Sequence, residues 1–164
     1  MHCCLLLITR EMPSENRISE ILKPYDEENL ECDETGEIIS FPIFTYDWWE
    51  IGGRYSGKLK LKIDDCYPVT KIAYMNGARI DDLINFDEID CFVCIDSDEN
   101  VIARETWNGH TFVKDEDFDR KLAEIKTKSK GMFATILDIH SQFSLFERSH
   151  KCQHLRNFTY QTYI

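Results

Sequence analysis

Apolar and polar residues follow two different periods along the chain, and each period predicts one type of element. Residues 2–9 are almost continuously apolar and are followed by charge, which is typical of a buried strand. Residues 59–63 alternate with a period of two, which predicts a half-solvated strand with Leu59, Leu61 and Ile63 on one face. Other short apolar runs predict strands at 68–75, 89–95, 101–104 and 132–140.

Two longer segments have helical spacing. In the first, Ser14 is the expected N-cap after Pro13, and the apolar residues that follow are Ile18, Ile21 and Leu22. In the second, residues 115–131, acids occupy the first turn, lysines occupy the last, and Gly131 is the expected cap. One face of this helix is lined by Phe118, Leu122 and Ile125. A shorter helix is predicted over residues 78–86.

These elements predict an α+β fold with a single domain over residues 1–140. We expect an antiparallel or mixed sheet with the two main helices packed on one face. The favoured topology is a ferredoxin-like arrangement in which the first strand lies beside the strand at 132–140. Residues 141–164 form a C-terminal extension that is aromatic and slightly basic.

Net charge separates this domain from its extension. The whole chain carries −11 and residues 141–164 contribute +2, which leaves −13 on residues 1–140. An acidic body repels nucleic acid and anionic membranes, so generic nucleic-acid binding and membrane association are disfavoured. The charge favours a basic protein partner, although a purely solubilising role stays open.

Cysteine use and the apolar start of the chain predict a cytoplasmic protein. Seven scattered cysteines, an odd number, suit buried thiols in a reducing compartment better than a disulfide framework. The apolar run at 3–8 is too short for a signal peptide or a membrane span.

Three groups of residues are potential metal ligands by their spacing: Cys91 with Cys94, His2 with Cys3 and Cys4, and His150 with Cys152 and His154. The first pair lies in a strand-like run, where residues three apart point to opposite faces. Neither of the other groups has a complete tetrahedral ligand set nearby. We therefore predict no metal and no cofactor, and interpret Cys91 and Cys94 as core residues.

Asp138 and His140 close the last predicted strand and, at a spacing of two, share one face of it. A carboxylate can hold an imidazole in one tautomer, as a general base requires. The same pair is also compatible with a solvated strand end, and no activated nucleophile accompanies it. Asp138 and His140 are therefore candidates for catalysis rather than an assigned site.

The stretch "YDWWEIGGRYSGKL", residues 46–59, contains the candidate ligand-binding residues Trp48, Trp49, Gly52, Gly53, Arg54 and Tyr55. Aromatic rings can stack on a base, glycine-rich backbone can approach an anion, and an arginine can clamp a phosphate. The same stretch is also typical of a structural corner with a buried tryptophan and with Arg54 paired to Asp47 or Glu50, and the corner is the favoured interpretation. Both interpretations stay open.

Three motifs, "PYDEENL", "DWWEIGGRYSG" and the terminal Asp-x-His of residues 138–140, resemble those of a family of small proteins from bacteriophages and bacteria. The family pattern has "PYDEN", so this chain has one additional glutamate, and it also has the extension beyond His140. Small accessory proteins of phages frequently counter host defence, so the resemblance implies that setting, with the host cytoplasm as the location. It implies no particular chemistry.

Three functional hypotheses follow, and we favour a protein that is not an enzyme. The first is a counter-defence inhibitor, similar to an anti-CRISPR protein, that blocks a nucleic-acid-targeting host effector with a basic surface. The second is a protein that sequesters a nucleotide or second messenger on the loop around Arg54. The third is a small hydrolase or phosphodiesterase that uses Asp138 and His140, with Arg54 to hold the phosphate.

Overall fold

Ten strands and two helices make up the fold in a computed structural model that describes residues 1–66, 69–107 and 110–141. In chain order the elements are β1 (His2–Thr9), α1 (Glu15–Leu22), β2 (Trp48–Ile51), β3 (Leu59–Cys66), β4 (Val69–Met75), β5 (Gly77–Arg79), β6 (Val93–Ile95), β7 (Val101–Ala103), β8 (Glu105–Trp107), β9 (Phe112–Lys114), α2 (Phe118–Lys128) and β10 (Phe133–His140). The α+β class is therefore confirmed.

The central sheet has six strands in the order β2-β10-β1-β6-β7, with β5 also paired to β10. The strand β1 runs antiparallel to β10 along its whole length, from His2 opposite His140 to Thr9 opposite Phe133. It runs parallel to β6, so the sheet is mixed. The predicted pairing of the first strand with the strand at 132–140 is confirmed. It places the start of β1 beside the end of β10.

Two hydrophobic clusters cover the two faces of this sheet. Residues 5 and 7 of β1 pack with α1 in one cluster, and residues 4, 6 and 8 pack with α2 in the other. Alternate residues of a strand point to opposite faces, so the two helices lie on opposite sides of the sheet. Helices on one face and a ferredoxin-like arrangement are therefore not confirmed. The reason is that β1 and β10 are apolar on both faces, and each face needs a cover.

Local signals placed both helices correctly. The Ser14 side chain accepts a hydrogen bond from the Arg17 amide and caps α1 as predicted. The second helix, α2, ends at Lys128, and Gly131 follows with a φ of 80°. The helix predicted over residues 78–86 is wrong: its first residues form β5, which pairs with the start of β10, and a single 3-10 turn follows at Ile80–Asp82.

Two antiparallel strand pairs, β3 with β4 and β8 with β9, lie outside the central sheet. The expectation of one apolar face on β3 holds only at its start, since Leu59 is buried and Ile63 is exposed. The strands predicted at 89–95 and 101–104 contain β6 and β7, which pair antiparallel. The sequence Asn-Gly at 108–109 also predicts a turn, but these two residues lie outside the described residues, as does the extension after Ser141.

Four cysteines, Cys3, Cys4, Cys91 and Cys94, are free thiols, and the last three are buried. Burial raises the pKa of Cys91 to about 12, so it stays protonated at neutral pH. Cys32 is disulfide-bonded, so the expectation of a free thiol is wrong at that position. Among the described helices, none has the length and apolar character needed to span a membrane.

Candidate functional site

A row of three aromatic side chains crosses the central sheet where β1 begins and β10 ends. His2 lies opposite His140, and His140 lies opposite Trp48 of the edge strand β2. Residues directly opposite each other share one face of a sheet. The two imidazole rings are 4.7 Å apart between centroids, and Trp48 meets His2 edge to face at 6.2 Å.

Each histidine of this pair has its own carboxylate. The Nδ1 atom of His2 is 2.9 Å from Oδ1 of Asp138, and Nδ1 of His140 is 2.7 Å from Oδ1 of Asp47. An ionised carboxylate only accepts hydrogen bonds, so both Nδ1 atoms act as donors. The Nε2 atom of each ring is therefore the nitrogen that can act on a ligand. Such a carboxylate also stabilises the protonated ring.

These pairings differ from the expectation based on the sequence. Asp138 was expected to orient His140 on its own strand, but it bonds His2 on the neighbouring strand instead. The partner of His140 is Asp47, whose backbone amide also donates to the His140 carbonyl oxygen at 3.0 Å. Both predicted catalytic candidates thus lie in one site, but as members of two different pairs.

Asp138 is the most enclosed member of the site, with 1% of its surface exposed. Its Oδ2 atom accepts the backbone N–H of Arg54 at 3.0 Å, while Oδ1 bonds His2. A buried carboxylate is stable only when its oxygens are satisfied. The two hydrogen bonds satisfy one oxygen each and fix the carboxylate between the histidine and the glycine loop.

The two adjacent glycines make this contact possible. Gly53 has a φ of 50°, and a Cβ atom there would lie 2.5 Å from Cβ of Asp138. Gly52 has a φ of 77°, and a Cβ atom there would lie 2.6 Å from Cγ of Asn76. The stretch is therefore a glycine corner, as one interpretation proposed, and the corner packs directly on the site.

The aromatic and cationic residues of the corner differ in their exposure to solvent and in their contacts. Trp48 is 45% exposed, whereas Trp49 points to the other face and packs against the cluster under α1. The Tyr55 hydroxyl donates to the His2 carbonyl oxygen at 3.3 Å. Arg54 is exposed, and its guanidinium makes no ion pair within the described part of the chain, so the predicted pairing with Asp47 or Glu50 is absent there.

Among the described residues, the other candidate clusters do not form a metal site. Cys91 and Cys94 are buried in the cluster under α2. Burial raises the pKa of both thiols, which makes them poor nucleophiles and poor metal ligands at neutral pH. No group of three or more His, Cys, Asp or Glu side chains among residues 1–66, 69–107 and 110–141 is arranged to hold a metal ion. The group at 150–154 lies outside the described residues.

Sequence reasoning missed His2 as a partner in the site, and it missed the role of Asp47. A signal for His2 was present, because two strands predicted to be neighbours each have a histidine at one end. Antiparallel pairing over the full length places those ends side by side. No local signal identifies Asp47, since its role depends on where β2 joins the sheet.

No family model, curated protein or solved structure matches the chain. The function is therefore inferred from the residues of the site and the distances between them.

Proposed function

We propose that the protein is a small hydrolase that cleaves phosphodiester bonds with His2 and His140 as a general acid–base pair. One observation supports this most strongly: two imidazole rings lie 4.7 Å apart, and each is held at Nδ1 by a separate carboxylate. In this arrangement the bonds at Nδ1 fix both rings, and they leave the Nε2 atom of each ring as the nitrogen that can transfer a proton. A structural role for a histidine does not require two oriented rings side by side.

Hydrolysis of a phosphodiester needs two proton transfers that this pair can supply. A neutral histidine accepts a proton from water as the water oxygen attacks phosphorus. A protonated histidine donates its proton to the alkoxide that leaves as the other P–O bond breaks. The imidazole group can serve in either role, because its ring nitrogens can accept or donate a proton. Asp138 and Asp47 keep the rings in the required tautomer and position.

The phosphate itself needs a positive group, and Arg54 supplies one. Its backbone N–H is bonded to Asp138, which fixes this residue beside His2. Its exposed guanidinium is not occupied by a carboxylate within the described residues. Arginine binds phosphate oxygens in a bidentate manner, which offsets the repulsion from the acidic body. The substrate is therefore a small phosphodiester with low charge.

The test is hydrolysis of bis(4-nitrophenyl) phosphate by the wild type and by His2→Gln and His140→Gln variants. We expect each substitution to lower kcat/KM by about 100-fold or more, in line with general acid–base catalysis. The wild type should show a bell-shaped pH profile. His110→Gln is the matched control, because His110 is an exposed histidine outside the site.

Two further variants separate the roles. Arg54→Ala should raise KM more than it lowers kcat, because the guanidinium binds the phosphate and transfers no proton. Asp47→Asn should lower kcat, because the amide no longer requires His140 to carry its proton on Nδ1. Equal turnover in the wild type and His140→Gln, or an equal loss in His110→Gln, would show that the histidine pair is not catalytic.

The net charge of −11 favours a second candidate function, the counter-defence inhibitor. A host effector with a basic nucleic-acid channel would attract the acidic domain, and electrostatic steering would accelerate their association. Binding to such an effector should weaken sharply as salt increases. It should be unaffected by His140→Gln, which distinguishes it from the hydrolase. Salt-independent binding would exclude charge mimicry.

A further inference from the structure

The edge strand β2 places two more side chains on the face of the sheet that carries the histidine pair. Trp48 lies opposite His140, and Glu50 lies opposite Asp138. Residues two apart in a strand share one face, so the Trp48 ring and the Glu50 carboxylate are neighbours beside the imidazoles. Neither side chain takes part in the proton transfers proposed above. Their position suits them to contact the group to which the phosphate is attached.

Trp48 offers that group an aromatic surface. The residue is 45% exposed, although it belongs to the central sheet, and its ring centroid is 6.2 Å from that of His2. A phosphate at the two imidazoles would therefore place one of its ester groups at the indole. The face of an indole ring is electron-rich, and it attracts an ammonium group that lies within about 6 Å of the centroid.

Glu50 adds a negative charge beside this ring. The side chain is exposed, and its carboxylate makes no ion pair within the described part of the chain. A carboxylate next to an aromatic ring attracts a cation by its charge, and the ring attracts the same cation by its quadrupole. The net charge of −11 also raises the local concentration of cations. Both side chains therefore favour a positive group over a neutral one.

The charge of the phosphodiester leads to the same group. A phosphodiester carries one negative charge, which the acidic body repels, and an ammonium within the substrate cancels that charge. In a choline ester of phosphate, a short bridge of one oxygen and two carbons joins phosphorus to the ammonium nitrogen. A bridge of this length suits the 6.2 Å between the rings of His2 and Trp48. The phosphate can therefore lie at the imidazoles while the ammonium lies at the indole.

We propose that the substrate is a phosphodiester of an amino alcohol such as choline, and that Trp48 and Glu50 bind its ammonium group. These two residues then determine specificity, and the histidines carry the chemistry. Turnover of this substrate rests on the proposed hydrolase function, whereas binding of its ammonium group does not.

The test compares 4-nitrophenyl phosphocholine with 4-nitrophenyl 3,3-dimethylbutyl phosphate, in which a carbon atom replaces the charged nitrogen. In each case water attacks phosphorus, the P–O bond to the phenol breaks and 4-nitrophenolate leaves. The wild type should have a kcat/KM about tenfold higher for the choline ester. Since the two esters share their shape and leaving group, this ratio measures recognition of the positive charge.

Two variants test the residues that bind the ammonium. Trp48→Leu should lower the ratio to about threefold or less, and Glu50→Gln should lower it by about two- to threefold. Tyr74→Leu and Glu15→Gln are the matched controls and should leave it unchanged. Tyr74 is an exposed aromatic residue on β4, and Glu15 is exposed on α1, which covers the opposite face of the sheet. Equal kcat/KM for the two esters in the wild type, or an unchanged ratio in Trp48→Leu, would overturn the proposal.

A choline phosphodiester occurs both as a soluble ester and as a lipid headgroup, and two further substrates distinguish these sources. They are glycerophosphocholine in solution and phosphatidylcholine in vesicles. We expect turnover of the soluble ester alone, because it fits a small site at the edge of the sheet. Turnover of the vesicles alone would assign the lipid headgroup instead. Turnover of neither would overturn the assignment of choline esters as substrates.

Failure of this proposal can be distinguished from failure of the hydrolase. Turnover of bis(4-nitrophenyl) phosphate that depends on both histidines, with equal kcat/KM for the two test esters, would support the hydrolase and exclude the ammonium site. Isothermal titration calorimetry gives the opposite case. Tighter binding of the choline ester than of its isostere, by a wild type that turns over neither, would support the ammonium site and exclude the hydrolase.

Discussion

Substitution of Gly53 by alanine should damage the candidate site through a single added carbon atom. Gly53 has a φ of 50°, and the new Cβ would lie 2.5 Å from Cβ and 2.6 Å from Oδ2 of Asp138. Both distances are far below van der Waals contact, and Asp138 lies in β10, an interior strand of the sheet. The carboxylate or the loop must therefore move, and the Arg54 N–H bond to Asp138 is lost.

The magnitude follows from two contributions. A left-handed backbone costs an L-residue about 1–2 kcal/mol relative to glycine. Loss of a hydrogen bond to a buried charged group costs about 1.5–3 kcal/mol. Together they predict a loss of about 2.5–5 kcal/mol in the free energy of unfolding, a large fraction of the roughly 5–15 kcal/mol that a domain has.

Gly131→Ala is the matched control for this experiment. Gly131 has a φ of 80°, but a Cβ atom there meets nothing within 4 Å. It shares the backbone strain and lacks the steric clash, so its loss should be about 1–2 kcal/mol. Urea denaturation of both variants, monitored by circular dichroism, gives the comparison, provided that the m-value is unchanged.

Equal destabilisation by the two substitutions would refute the reasoning, because backbone strain alone would then account for both. A Gly53→Ala protein that retains wild-type stability would show that Asp138 is not held by the glycine loop. A folded Gly53→Ala protein should also have reduced phosphodiester turnover, since His2 loses its fixed carboxylate.

Three further predictions concern the core. Thr135 is buried and its hydroxyl has no hydrogen-bond partner among the described residues, so Thr135→Val should raise the free energy of unfolding by about 1 kcal/mol in urea titrations. Phe118 is 1% exposed, and Phe118→Ala should cost about 3–5 kcal/mol by the same measurement. Burial raises the pKa of Cys91 from its ordinary 9.0 to about 12. The stabilisation from keeping this thiol protonated is therefore complete below pH 9. As pH rises from 9 towards 12 it is lost, and the free energy of unfolding falls by up to about 1.4 kcal/mol per pH unit. Urea midpoints should fall less steeply over this range in Cys91→Ala than in the wild type.

Local patterns were sufficient for most helices and strands and for the pairing of β1 with β10, but not for β5. The strand β1 and the helix α1 were readable because a continuous apolar run and a serine cap act within a few residues. Residues 78–86 were predicted incorrectly. Their apolar spacing suits a helix, but Gly77–Arg79 pairs with the open edge of β10. That edge belongs to a strand more than 50 residues away, and its hydrogen bonds override a weak local preference.

The sequence by itself determined the α+β class, the ends of β1 and β10, and both long helices. It also placed Asp138 and His140 among the candidates. Only the tertiary structure decided that Asp138 bonds His2, that Asp47 bonds His140 and that Trp48 rather than Trp49 faces solvent. The physical reason is that these contacts join residues 136 and 93 positions apart through strand register. Register is fixed by burial of both sheet faces at once, which no local segment encodes.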